Sequence, residues 1–346
     1  MAKNNKKRRN RKILLALLML LLTFVTLSTS TYAWFTANKT VTVSTINVNV
    51  AASNGLQISV DGLEWKSVIT NEDIIKTIGA ETTYTSTANT NQLPSLATSL
   101  APVSTVGTID TNGMMEMFLG EVGSDAAGNY QLTATKSTET RTTGDGDFVV
   151  FDLFFQVQEE TKIYLTNNSK VAAGGVQPGG GNTGIQNAAR VGFIVEGTTA
   201  AGSSKEDIQA LKTNSGTAII WEPNTDVHTE AAVAHALSTY NVTTTVANAD
   251  QLPYNGIKAE IPGGSPQALN STNATYFSAV TPNLATTAAG ISADNYLEAF
   301  TIGKGITKVR VYMWVEGQDV DCENMASGGQ VGFDLQFSSN KNQSAT

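Results

Sequence analysis

Residues 148–157 read FVVFDLFFQV and give the clearest β-strand signal in this chain. Apolar side chains occupy both alternating sets of positions, so both faces of a strand formed here would be apolar. A strand with two apolar faces lies inside a sheet that is covered on both sides. We therefore predict a central, buried strand over residues 148–157, and we expect the other elements to pack around it.

Weaker strand patterns lie on both sides of this segment, and long polar stretches without an internal repeat separate them. Several strands joined by long excursions, with few helices, are typical of an antiparallel sandwich. We predict an all-β fold, an antiparallel β-sandwich of jelly-roll type over residues 51–346, with long irregular insertions at about 67–147 and 197–305. The other predicted strands are 40–60, 161–166, 190–196, 306–316 and 330–338, and short helices are predicted at 70–79, 203–212 and 228–237.

The first 33 residues have the layout of a secretory signal. A basic head at 3–12 precedes an apolar run at 13–25 and a junction of small residues at 28–33. We expect cleavage after Ala33, which would leave Trp34 as the first residue of an exported, extracellular or cell-surface protein. The alternative is an uncleaved membrane anchor, because the apolar stretch extended to Phe35 approaches the ~20 residues that span a bilayer.

Residues 34–50 form a β-patterned segment whose phase changes. From residue 40 onward, Val41 and Val43 fall on odd positions, whereas the later apolar residues fall on even positions, which indicates either a bulge or two separate strands. The later residues are Ile46, Val48 and Val50. The first part is too apolar to remain exposed after cleavage, and an extended segment can complete the sheet of a neighbouring copy. The residues predicted to form this assembly strand are Trp34, Phe35, Val41 and Val43.

Charge limits the partners of the exported part. Residues 1–33 carry seven of the 22 Lys and Arg and none of the 30 Asp and Glu, which leaves 15 basic against 30 acidic residues and a net charge of −15. Phosphate backbones are recognised by Lys and Arg, so we predict no nucleic-acid partner. Anionic membrane surfaces would also repel this chain, so membrane contact is expected only through the N-terminal segment before cleavage.

Four short sequences stand out along the chain, namely YAWFT at 32–36, INVNV at 46–50, LTNNS at 165–169 and GFDLQF at 332–337. Together they resemble the TasA/camelysin family of exported Gram-positive proteins. The glycine usual before the first strand of that family is missing, and the insertions have no counterpart in it. The resemblance implies processing by a dedicated export signal peptidase. It also implies a jelly-roll subunit of a biofilm-matrix fibre, a head-to-tail homopolymer in which each N-terminal strand completes the next sheet.

We therefore expect a structural filament subunit and not an enzyme. The alternative is a membrane-tethered cell-surface binding or adhesion module that keeps its N-terminal anchor. No catalytic residues are predicted, because the two histidines, His228 and His235, are seven positions apart in an Ala-rich segment. On a helix this spacing is about 10 Å, too far for one tetrahedral zinc ion.

An acidic segment at 319–324, between the last two strong strands, is the remaining candidate site. Alternating carboxylates in a loop that ends in glycines can bind calcium, although the EF-hand pattern would need a glycine at the position of Asn324. A solvated acidic loop is the simpler interpretation, and we predict no cofactor. The neighbouring Cys322, the one cysteine, is expected to be a quiet, partly buried thiol. The calcium candidates are Asp319, Asp321 and Glu323.

Overall fold

The computed structural model describes residues 41–51, 55–75, 99–137, 145–174, 183–323 and 328–342. These described residues are mostly β, with 45% strand and 8% helix. No helix within these ranges is long and apolar enough to cross a bilayer. The predicted signal or anchor, the cleavage site at Ala33 and Trp34, and the side chain of Phe35 lie outside the described residues.

Twenty strands and three short helices make up the described part of the chain. The helices are α1 (Asn71–Ile75), α2 (Lys205–Gln209) and α3 (Glu230–Tyr240). The strands are β1 (Thr42–Val50), β2 (Gln57–Ser59), β3 (Val68–Ile69), β4 (Ser99–Leu100), β5 (Val103–Ser104), β6 (Phe118–Ser124), β7 (Tyr130–Lys136), β8 (Asp145–Gly146), β9 (Val149–Val157), β10 (Thr161–Leu165), β11 (Lys170–Ala173), β12 (Ala189–Thr199), β13 (Ile219–Glu222), β14 (Tyr254–Ile257), β15 (Gln267–Ala268), β16 (Phe277–Val280), β17 (Leu284–Ala285), β18 (Leu297–Ile302), β19 (Gly305–Val315) and β20 (Gln330–Ser338).

The first large sheet has the strand order β18-β10-β20-β1-β3, and β11 also pairs with β20. Within it, β1 runs parallel to β20 from the pair Thr42–Gln330 to the pair Val50–Phe337. The register shifts between Val43 and Thr45, so the change of phase at Ser44 is a bulge within one strand. The purely antiparallel arrangement predicted from the sequence is wrong for this pair, because alternation fixes faces but not strand direction.

The second large sheet has the order β17-β13-β12-β19-β9-β2. Its longest pairings are antiparallel, between β12 and β19 and between β19 and β9, whereas β13 and β17 are parallel. Every residue of β9 except Gln156 is buried. The prediction of a central strand buried on both faces is therefore confirmed.

The two faces of β9 pack against different partners. On one face, Phe155 meets Phe337 of the first sheet edge to face at 5.2 Å between ring centroids, so the main core lies between the two sheets. On the other face, Phe154 packs in a small cluster with Ile208 of α2 and Ile306. Loops and α2 thus cover the second face of β9, which explains why both faces of this strand are apolar.

The predicted insertions are not merely decorations. The segment 197–305 supplies β13 and β17 to the second sheet and β18 to the edge of the first. Residues 67–147 contribute β3 to the first sheet and, with β15, a separate sheet of order β15-β7-β6-β5. These strands are mostly two to seven residues long, too short for alternation to distinguish them from irregular chain.

Candidate functional site

A group of buried charged residues gathers at one end of the second sheet. Arg190 stands opposite Trp314 where β12 pairs with β19, and the adjacent β13 ends at Glu222. Just beyond β19, the segment 316–323 turns back over this end of the sheet through the backbone bond from Asp319 N to Glu316 O, 3.2 Å. Helix α3 packs on the segment, since Ala232 and Ala236 form one cluster with Val320.

Arg190 is the centre of this group and is fully buried. Its Nη2 donates to Glu222 Oε1 at 2.7 Å and to a carboxylate oxygen of Asp319, and its Nη1 donates to Asn187 O at 2.8 Å. Burial disfavours the charge, but Glu222 and Asp319 outweigh it and hold the pKa of Arg190 above its ordinary value. Burial raises the pKa of Glu222, and Arg190 only partly offsets that effect. The guanidinium also lies 5.7 Å from the ring centre of Tyr254.

Each of the two histidines pairs with a carboxylate of the same segment. His228 Nδ1 lies 2.6 Å from Asp321 Oδ2, and His235 Nδ1 lies 2.6 Å from Glu323 Oε1. Burial opposes the charged form of His228, but the hydrogen bond and charge of Asp321 outweigh it and raise the pKa of His228. Burial likewise raises the pKa of Asp321, and the hydrogen bond with His228 only partly offsets that effect.

The structure thus gives each calcium candidate a basic partner. Asp319 meets Arg190, and the other two meet histidines, so each carboxylate faces a cationic or cationisable group within its own chain. Their side chains are buried rather than solvated, contrary to the simpler interpretation. Within the described ranges no group of three or more ligating side chains is placed to hold a metal ion.

The structure differs from the sequence-based predictions at His228 and at Cys322. His228 does not lie on the helix, because α3 begins at Glu230 and Thr229 is its N-cap, accepting a hydrogen bond from Ala232 N at 3.1 Å. Because Thr229 has an extended backbone conformation, His228 lies before the helix, and the helical spacing assumed between His228 and His235 does not apply. Cys322 is fully rather than partly buried, in the main core.

A cavity of about 340 Å³ opens beside this group. Its buried floor includes Asn187, His228, Tyr254 and Gln318. Its mouth is formed by more exposed residues such as Val242, Asn270 and Thr272. The floor therefore combines polar atoms with the charges around Arg190, which is the arrangement of a site that can hold a small molecule.

A second buried ionic network lies under α2 on the outer face of the second sheet. Arg310 Nε donates to Asp152 Oδ1 at 2.9 Å and lies 3.6 Å from Glu196 Oε1, and Lys308 Nζ donates to Gln209 O at 2.8 Å. Burial raises the pKa of Glu196 to about 7 despite Arg310. Charges on neighbouring buried strands are the signal that could have predicted this network, since Arg310 stands directly opposite Asp152.

The predicted assembly strand is only partly described. Val41 and Val43 are both about 1% exposed and belong to the main core of their own chain. Val41 N donates to Leu100 O at 2.9 Å, and Leu100 N donates back at 2.7 Å. In the single chain these two side chains are therefore not presented to a neighbour, and a joint between copies would require the strand to exchange.

The cavity floor was missed by the sequence analysis. Asn187, Tyr254 and Gln318 come from three separate segments and carry no motif. The one available signal was that both histidines and an acidic segment occur in a chain otherwise poor in such clusters. No protein-family model matches this chain, and no curated protein matches it.

Proposed function

We propose that this chain is an exported structural protein, a jelly-roll subunit of an extracellular filament or biofilm-matrix fibre that joins its next copy through the N-terminal strand. The observation that carries the proposal is the position of β1. It is the first described strand, it follows the predicted cleavage site, and it pairs with β20 in eight register positions. An export signal peptidase would release it, in keeping with the resemblance to the TasA/camelysin family.

A terminal strand can exchange between copies without threading the chain. β1 ends at Val50 in one large sheet and β2 begins at Gln57 in the other, so a different chain path between these two strands would place β1 in a neighbouring copy. The vacated β20 edge would then accept β1 of the next copy. An exchange that passes from one copy to the next does not close on itself and generates a fibre.

The energetics allow such an exchange. Five apolar side chains of the segment are buried, and each contributes roughly 1.5–3 kcal/mol when removed from water. The exchanged strand would make the same contacts in the neighbour. The equilibrium between monomers and strand-exchanged filaments therefore depends on protein concentration and on the residues at the ends of the segment. The side chains of Trp34 and Phe35, freed by cleavage, would supply additional apolar burial. The five buried residues are Val41, Val43, Ile46, Val48 and Val50.

A disulfide trap tests this proposal. Asn47 stands opposite Asp334 and donates to its Oδ1 at 2.8 Å, near the sheet surface. Paired strand positions fall within the Cα separation that a disulfide requires. The test protein begins at Trp34 and carries Asn47→Cys and Asp334→Cys in a Cys322→Ser background. Oxidation of its filaments should give a ladder of covalently linked oligomers. Cross-links confined to single chains in the same filaments would refute strand exchange.

Truncation provides the matched comparison. Protein that begins at Val41 keeps the buried valines but lacks residues 34–40, and it should remain a folded monomer in sedimentation and electron microscopy. Filaments formed equally well by both proteins would rule out a role for Trp34 and Phe35. A natural N-terminus that retains the basic head, read by mass spectrometry, would instead support the membrane-tethered adhesion module.

A further inference from the structure

The cavity beside Arg190 contains an unusual number of unsatisfied polar atoms. Five lining residues each have a buried side-chain atom without a hydrogen-bond partner among the residues that the structure describes. Four of these side chains are less than a tenth exposed, so the missing bonds are costly. The atoms are Asn187 Nδ2, His228 Nε2, Thr239 Oγ1, Tyr254 Oη and Gln318 Nε2.

Neighbouring groups determine what these atoms offer. The pair with Asp321 favours the imidazolium form of His228, so its Nε2 carries a proton that can be donated to a ligand. Tyr240 Oη donates to Gln318 Oε1 at 3.4 Å, and the amide nitrogen of Gln318 is then the group left to donate. Asn187 Nδ2 and Tyr254 Oη add two more donors. The floor therefore requires a ligand with several acceptor oxygens.

Charge argues against an anion as that ligand. Three carboxylates at the cavity, those of Glu222, Asp319 and Asp321, face the two basic groups Arg190 and His228, so the formal charge with all five groups ionised is −1. A second negative charge in this buried place would be repelled. A metal cation is also disfavoured, because the same carboxylates already pair with basic groups.

The walls add an apolar component. Leu252, Val242 and Ala236 line the cavity together with the rings of Tyr240 and Tyr254. Sugars match such a site, since their hydroxyls accept and donate hydrogen bonds while their C–H faces pack on apolar and aromatic surfaces. The volume of about 340 Å³ lies at the small end of ligand pockets.

We propose that this cavity binds a neutral sugar unit of about one ring, with the ring hydroxyls bonded to Asn187, His228, Tyr254 and Gln318. This inference is independent of filament formation. Buried water molecules satisfying the same atoms are the competing explanation, and they would leave the protein indifferent to added sugar.

The first experiment titrates the mature protein with glucose, galactose, N-acetylglucosamine and glucuronate, followed by calorimetry and by saturation-transfer NMR. At least one of the three neutral sugars should bind, and glucuronate should bind more weakly than glucose because of its carboxylate. The proposal is overturned by the absence of binding for all three neutral sugars at millimolar concentrations. Equal or tighter binding of glucuronate would overturn it as well.

Two conservative variants locate the site. Tyr254→Phe removes only a hydroxyl, and Gln318→Met removes the amide at similar size. Each should weaken binding of the best neutral sugar by about tenfold, the worth of one buried hydrogen bond. Tyr276→Phe, which alters a tyrosine outside the cavity, is the matched control and should bind as the wild type does.

Thermal melting separates a binding role from a structural one. Without sugar, Tyr254→Phe should melt at or above the wild-type temperature, because it removes an unsatisfied buried hydroxyl. A lower melting temperature would mean that the hydroxyl is already satisfied within the fold, and it would overturn the proposal. Wild-type affinity in both cavity variants would place the bound sugar elsewhere and overturn it equally.

Discussion

Replacement of Arg190 by methionine tests whether the buried charges at the end of the second sheet are interdependent. The side chain is fully buried and bonds to Glu222, Asp319 and the carbonyl oxygen of Asn187. Methionine fills similar space but supplies no charge and no donor. Two carboxylates would then stay buried without their cation, which is the costly way to break an ion pair.

The expected loss can be estimated from this geometry. Removing one partner of a buried pair costs about 3–5 kcal/mol, and here one cation serves two carboxylates, so we expect at least the upper value. The total stability of a domain is only about 5–15 kcal/mol. At roughly 2 °C per kcal/mol for a chain of this length, the melting temperature should fall by about 10 °C.

The pH dependence of the loss identifies its cause. Burial raises the pKa of Glu222 and Arg190 partly offsets that effect, so without Arg190 the folded-state pKa of Glu222 lies further above its unfolded value and protonation of Glu222 favours the folded state. The loss of stability of the Arg190→Met variant relative to wild type should therefore be large at about pH 7.5 and should shrink as the pH falls to about 5. Calorimetry of wild type and variant at both pH values measures it.

Lys162→Met is the matched control for this measurement. It removes a cation from the exposed pair with Glu298, 3.0 Å apart, where solvent screens the interaction, so the melting temperature should not change. An Arg190→Met protein that melts like wild type, or whose deficit is the same at both pH values, would refute the ion-pair argument.

Phe154→Asp places an unpaired carboxylate against Ile208, and the variant should fail to fold or should melt well below wild type in circular dichroism. Burial raises the pKa of Glu316 to about 7, so the folded state keeps a proton that the unfolded chain releases above its ordinary value of 4.5. Stability should thus fall by up to about 3 kcal/mol between about pH 5 and pH 8, and Glu316→Gln should reduce that slope in urea titrations; an unchanged slope would contradict the assignment. Chelation by EDTA should change stability by less than ~1 kcal/mol, and a large loss restored by calcium would implicate the carboxylates that pair with basic groups here, Asp319, Asp321 and Glu323.

The strong strands could be predicted because their side chains alternate or are apolar throughout. The predicted segments 148–157, 306–316 and 330–338 agree with β9, β19 and β20 to within a residue at each end. The bulge in β1 was among the two alternatives indicated by its change of phase. Burial of a face is a local property of the sequence, so local patterns reveal it.

Strand direction and partners could not be predicted in the same way. Alternation is identical for parallel and antiparallel strands, so the parallel pairing of β1 with β20 left no mark in either segment. The two-residue strand β17 is likewise invisible, because it is defined only by its pairing with Trp221 and Glu222. These features depend on chain paths set by distant contacts.

The candidate site was half visible in the sequence. The histidines and the acidic segment were each considered as separate metal sites, whereas the structure pairs them as His228 with Asp321 and His235 with Glu323. The acids are two positions apart and the histidines are seven positions apart. These spacings do not by themselves reveal which acid pairs with which histidine. Arg190 was hidden inside a predicted strand, and its role depends on β13 and on the segment after β19.

The two proposals concern separate parts of the molecule, and this makes them independently testable. None of the residues that line the cavity belongs to β1 or β20. Substitutions at Asn47 and Asp334 should therefore leave sugar affinity unchanged, and Tyr254→Phe should leave filament formation unchanged. If Tyr254→Phe abolished filaments while the subunit stayed folded, the cavity would have to be reached by the exchanged segment, and the sugar would not be its natural occupant.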